Sequence, residues 1–156
     1  MSRFDLSKEE LLPLITETLS SGKKISLTVT GNSMFPLFAH KRDTVYLEKA
    51  VVYKPKDIVL YLRDENTPVL HRIMRKKDKG FAICGDNQNV MEYPVPEENV
   101  LGRVYEFERK GKRITTDNFL YRIYSTIWCL GLKHRRVILH FPLKMLAKKI
   151  EKRRLK

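Results

Sequence analysis

Two cysteines in 156 residues, Cys84 and Cys129, are too few for a disulfide framework. Cys84 lies in an apolar run and Cys129 in a helical pattern, so two separate reduced thiols are expected, as on a cytosolic face. Histidine is equally sparse. The four are scattered without partners at metal-ligand spacing, so neither a metal centre nor any other cofactor is expected. No apolar run reaches the roughly 20 residues that cross a bilayer. The first ten residues carry acids and no leader-like apolar segment, which predicts neither a secretory leader nor an N-terminal membrane anchor. Acid is what the C-terminal part lacks. Residues 119–156 hold 11 Lys and Arg against 1 Glu, whereas residues 1–118 hold 20 Lys and Arg against 17 Asp and Glu. The formal charge of +13 therefore sits mostly in a basic tail behind a nearly neutral body.

Apolar residues make up 42% of the chain and charged residues 31%, the balance of a folded soluble protein with a core of its own. The length fits one domain. Ser7-Lys8-Glu9-Glu10 reads as a capping box, flanked by Leu6 and Leu11 as a staple, and predicts a helix over 8–20 that packs on the domain. Pro13 lies beyond the first turn, so that helix either kinks or starts later. Strand-like runs then follow closely at 25–30, 44–48, 57–62, 68–74, 80–84 and 99–107, most of them divided by turn residues. The pattern predicts a mainly β fold, a coiled antiparallel sheet or barrel over 25–116.

The stretch at 29–38, Val-Thr-Gly-Asn-Ser-Met-Phe-Pro-Leu-Phe, places one serine in a turn directly after a strand. Gly31 breaks the alternation and gives the backbone access to positive φ, while Pro36 restrains Phe35, so Ser33 sits on a constrained bend. A hydroxyl there either bonds its own backbone or acts as a nucleophile. On the run 68–74, alternation puts Val69, His71 and Ile73 on one face and Leu70, Arg72 and Met74 on the other. Gly85-Asp86-Asn87 reads by itself as a turn.

Taken together, Gly-Asn-Ser-Met-Phe-Pro, Lys-Pro-Lys-Asp-Ile-Val-Leu-Tyr (54–61), Val-Leu-His-Arg-Ile (69–73), Gly-Asp-Asn-Gln-Asn (85–89) and Leu-Gly-Arg-Val (101–104) form a succession. It resembles the signal peptidase I family of serine peptidases, whose core is related to that of the self-cleaving LexA-like repressors. The resemblance covers residues 25–107. It implies amide hydrolysis with Ser33 as nucleophile and His71 as general base, the latter matching the endoplasmic-reticulum and archaeal type, where the bacterial enzymes have Lys. It also places the Gly85-Asp86-Asn87 block beside the active site. Asp86 is then the expected acid on His71, with Glu92 as the alternative. The main-chain N–H groups of Ser33 and Gly31 are the expected oxyanion donors. Met34 and Phe35 are candidate walls of a substrate site, or ordinary core residues.

The implied substrate is an extended leader or precursor peptide. The competing functions are a catalytically inactive peptide-binding domain on the same fold and a LexA-like regulator, the latter weakened by the absence of a helix-turn-helix before the core and by His in place of Lys. From Phe119 the pattern turns helical, with Arg122, Ser125, Thr126, Cys129 and Lys133 along one side and Leu120, Ile123, Tyr124, Ile127, Trp128 and Leu130 filling the rest. A second segment at 137–150 is interrupted by Pro142 and carries His140, Lys144 and Lys148 along one side. The division expected is a catalytic domain at 1–118 and a basic amphipathic tail at 119–156. That tail either packs on the domain or a second subunit, or lies on an anionic membrane at the cytoplasmic face. Nucleic acid is not the expected partner, because the tail carries no recognised motif.

Overall fold

The computed structural model describes residues 8–64 and 67–131. The segment at 137–150 and the rest of the tail beyond Gly131 lie outside the described residues. In chain order the elements are α1 (Lys8–Ser20), β1 (Ile25–Thr28), β2 (Thr44–Glu48), β3 (Ile58–Leu62), β4 (Pro68–Lys77), β5 (Gly80–Cys84), β6 (Glu92–Val95), a 3-10 turn at Glu97–Asn99, β7 (Val100–Arg109), β8 (Lys112–Thr115) and α2 (Phe119–Leu130). All strands join one sheet in the order β1-β2-β7-β3-β4-β5-β6, and β8 adds to β7. Every pairing is antiparallel. The mainly β, coiled antiparallel fold expected from the sequence is the fold observed.

The sheet bends where its registers slip. β7 pairs with β3 through Val100–Arg103 and with β2 through Arg103–Glu108, and shifts at Tyr46/Leu47 and Leu60/Tyr61 accompany the hand-over. Such irregularities raise the local twist and let one long strand serve two parts of a coiled sheet. Apolar side chains gather in two clusters that follow the strand alternation. Leu60 and Leu70 join Ile15, Leu19, Met34, Phe38 and Phe107 in the first, and Val59, Tyr61, Val69 and Ile73 join Phe81 and Ile83 in the second. Thus β3 and β4 carry apolar groups on both faces, and any polar side chain among them needs a partner.

Two short elements escape the sequence pattern. β6 has Pro94 inside it and β8 is a four-residue strand, Lys-Arg-Ile-Thr, that opens on two cations, and neither gives a strong strand signal. Helix α1 begins at Lys8 and runs on through Pro13. Its Ile15 and Leu19 are buried against the first cluster, which is the packing expected.

Candidate active site

The bend that carries Ser33 is built by a buried carboxylate some way along the chain. Asp43 is inaccessible; its Oδ2 accepts the Ala39 N–H at 2.8 Å and its main-chain oxygen accepts the Val29 N–H at 2.9 Å. Lys41 N–H returns to Val29 O at 2.8 Å, and Phe35 N–H to Asn32 O at 3.1 Å. Burial alone would raise the Asp43 pKa, but the Arg42 guanidinium and the Ala39 and Lys110 amides outweigh it and hold the group below the usual carboxylate range. Gly31 sits at φ +84°, the left-handed conformation for which glycine is suited, so the break read at this position has its physical cause.

Next to Ser33 the main chain meets the 85–91 loop. Asn87 N–H donates to Ser33 O at 2.7 Å, and Asn87 Nδ2 donates to Asn32 O at 3.2 Å. A Cβ on Gly85 would stand 2.7 Å from Ser33 O, so only glycine allows that approach. Arg72 on β4 pairs with Cys84, the last residue of β5. The chain beyond Cys84 therefore leaves β4 at the level of His71, and the same loop that begins against Ser33 ends at Glu92 against His71. The Cys84 thiol lies inside this loop, with Sγ 3.3 to 3.4 Å from the carbonyl oxygens of Gly85, Gln88 and Val90.

His71 is buried, and its Nδ1 edge has polar company. Tyr61 Oη lies 3.3 Å from Nδ1 and Glu92 Oε1 lies 3.5 Å from it. Tyr61 gives its own proton to Glu92 Oε2 at 2.8 Å, and Arg63 binds the same carboxylate through Nε and Nη2. With the Tyr61 hydroxyl proton committed, Nδ1 is the nitrogen suited to carry the imidazole proton, which leaves Nε2 as the basic one. Among the described residues, neither Nε2 nor the Ser33 hydroxyl has a hydrogen-bond partner, and the two are not bonded to each other. Burial pulls the His71 pKa down to about 4, against the opposing pull of Glu92, so the ring is neutral at pH 7. The hydrogen bond from Arg63 holds Glu92 below the usual carboxylate range, so it is charged there.

Asp86 does not fill the place expected for it. Its carboxylate takes Arg72 in a two-pronged pair, Nε to Oδ1 at 2.8 Å and Nη2 to Oδ2 at 2.7 Å, with both residues fully buried. Arg72 and His71 are neighbours on β4, so they point to opposite faces of the sheet, and an acid bound to one is turned away from the other. Glu92 is the carboxylate that faces His71. Arg72 Nη1 also donates to Lys56 O at 3.0 Å, Tyr121 Oη at 3.1 Å and Ser125 Oγ at 2.8 Å. Helix α2 supplies the last two and adds Tyr124 Oη to Asp86 Oδ2 at 3.3 Å and Trp128 Nε1 to Asp86 O at 3.1 Å.

Two further expectations change in detail. Met34 is 1% exposed and belongs to the first core cluster, so it is not a wall of an open site, whereas Phe35 beside it is 36% exposed. Gly31 N–H is already taken by His40 Nδ1 at 2.8 Å, so it is not a free donor in this structure. Among the described residues no group of acids, cysteines and histidines is arranged to hold a metal.

Residues 2–105 match the family model described as Peptidase S24-like. The chain belongs to that family. The matched S24-like region contains Ser33, His71, Asp86 and Glu92, and it ends within β7, before β8 and α2. No curated protein matches the chain. Sequence reasoning missed the Arg72–Asp86 pair and the role of Tyr61 and Arg63 around Glu92. One signal was available for the first. An arginine in a strand flanked by apolar residues must find a buried acid, and Asp86 follows 14 positions later on the adjoining hairpin.

Proposed function

We propose that the chain is a serine peptidase of the S24-like fold that cuts a leader or precursor peptide, with the His base known from the eukaryotic and archaeal signal peptidase type. The observation that carries this reading is the polarity of His71: its Nδ1 edge is backed by Tyr61 and Glu92, while Nε2 makes no hydrogen bond among the described residues. The loop joining that acid to the Ser33 main chain supports it.

Ser33 Oγ attacks the peptide carbonyl carbon as its proton passes to His71 Nε2. The imidazolium so formed is stabilised by Glu92 across Nδ1 and then gives the proton to the leaving amine. Water repeats the two transfers to release the acyl group. The Ser33 N–H supports the oxyanion, and the Gly31 N–H joins it when the substrate oxygen displaces His40 as its acceptor. Phe35 is the remaining candidate for contact with substrate. Substrates of this class are extended and bind by adding a strand to the sheet. Cys84 and Cys129 are not joined in a disulfide, in keeping with a reducing compartment such as the cytoplasm.

A silent peptide-binding domain is the competing reading, and the missing Ser33–His71 hydrogen bond favours it. Cleavage of a candidate precursor by wild type, Ser33→Ala and His71→Ala separates the two. Peptidase action predicts cutting by the wild type alone, and equal rates in all three end the proposal.

A further inference from the structure

Helix α2 buries an aromatic face, with Tyr121 and Tyr124 packed on the first core cluster and Tyr124 stacked on Trp128, and leaves a second apolar face exposed. Its inward face is held by polar groups, with Tyr121 and Ser125 on Arg72 and Tyr124 and Trp128 on Asp86. Its outward face is apolar: Phe119 is 73% exposed, Leu120 73%, Ile123 42%, Ile127 56% and Leu130 82%. Phe119, Ile123, Ile127 and Leu130 fall at helical spacing and form one ridge about 17 Å long. Turning the helix to bury the ridge would strip a fully buried ion pair of its partners, so the ridge is fixed outward. Asn118 fixes the start of the helix, its side chain accepting from Leu120 N–H and Tyr121 N–H.

Cations outnumber acids beside the ridge, with Lys54, Lys56, Arg103 and Arg122 against Glu48, Asp57 and Asp117. Arg122 lies on the exposed side of the helix, and Lys56 Nζ reaches Thr126 Oγ1 at 3.0 Å. Beyond Gly131 the chain continues for 25 residues that carry 10 Lys and Arg and a single Glu.

We propose that α2 is an in-plane membrane helix that seats this protein on an anionic lipid surface. An exposed ridge of Phe, Leu and Ile calls for an apolar cover, and the charge decides which one. A second copy of a chain with net charge +13 is repelled, whereas acidic headgroups are attracted by the same charge. Among the described residues no helix is long and apolar enough to cross a membrane. The ridge therefore sinks into the headgroup and acyl boundary while Arg122 and Lys56 meet the headgroups, and the basic composition of the chain adds to the attraction. Because the inward face of α2 holds Asp86, next to the Asn87 that binds Ser33, seating the helix also fixes the height of the Ser33 bend above the lipid. Nothing in that seating depends on Ser33 acting as a nucleophile.

Flotation of the full chain with phosphatidylcholine vesicles, with and without phosphatidylglycerol, tests it, alongside the double variant Ile123→Asp/Ile127→Asp and sedimentation of both proteins without lipid. The wild type is expected to float with the anionic vesicles only, and the double variant to partition about tenfold or more weakly. Its thermal unfolding should match the wild type, because both side chains are exposed. Emission from Trp128, the single tryptophan, should stay that of a buried ring in the bound protein, since it lies on the inward face. Failure of the wild type to float overturns the proposal, as does equal flotation of the double variant, which would assign binding to the cations alone. A lipid-free dimer that the double variant abolishes would overturn it too, giving the ridge to a second copy.

Discussion

His71 and Arg72 are adjacent, basic and buried, yet the strand turns them into different environments. Arg72 is satisfied on every side: a carboxylate takes two of its nitrogens, and a carbonyl and two hydroxyls take the third. Its pKa is raised well above the ordinary value, because Asp86 outweighs the cost of burial. Among the described residues His71 has polar partners on Nδ1 alone, and burial lowers its pKa to about 4. A buried cation with all three of its nitrogens bonded holds elements together rather than serving a substrate. A buried neutral ring with one lone pair uncommitted is equipped to accept a proton. Charge and burial alone do not distinguish these two functions; the count of satisfied atoms does.

Exchanging each residue for an uncharged one of similar length should therefore break different properties. His71→Gln is expected to reduce peptide turnover by about 10⁴-fold while the urea midpoint changes little, read from precursor cleavage and denaturation in parallel. Arg72→Met leaves the Asp86 carboxylate buried without its cation. It should lower stability by about 3–5 kcal/mol in the same denaturation series. Restoring the balance with Arg72→Met/Asp86→Leu should recover a good part of that loss, because two apolar side chains replace the whole pair.

Glu92→Gln sharpens the acid assignment. It keeps the shape of the side chain and removes the charge behind His71 Nδ1, so turnover is expected to fall about 10²-fold without being abolished. The smallest effect is on pH. His71 binds its proton at about pH 4 in the folded chain and at 6.5 when unperturbed. Between these values the unfolded chain is protonated and the folded one is not, so stability falls as pH drops through that window and is untouched above it. Thermal midpoints at several pH values should show this slope in the wild type, and a shallower one in His71→Gln.

The sheet was legible from the chain because short strand-like runs follow one another closely, most of them divided by turn residues, and alternation divided the two faces of 68–74 correctly. β6 and β8 were not, since a proline and a run of charge mask them and only pairing with a neighbour makes them strands. At the site, a motif located the Ser33 bend, the His71 strand and the Gly85–Asn87 turn, but it could not orient their side chains. Asp86 and Glu92 are equally good acids on paper; strand alternation decides between them only once the partner of Arg72 is known. In α2 the sequence separated a polar side from a wide apolar one without telling which faces inward, and tertiary hydrogen bonding decides it. Ser125 is buried and Ile127 exposed because a buried guanidinium needs donors' partners more than the core needs another isoleucine.

Covalent labelling of the chain by a fluorophosphonate, followed by mass spectrometry of the peptide containing residue 33, tests most directly whether the bend and the imidazole act as one unit. The account predicts a single adduct on Ser33 at pH 7, absent in Ser33→Ala, suppressed in His71→Gln, and declining in acid only as pH approaches about 4. An unlabelled wild type, or equal labelling of the His71→Gln variant, would contradict it.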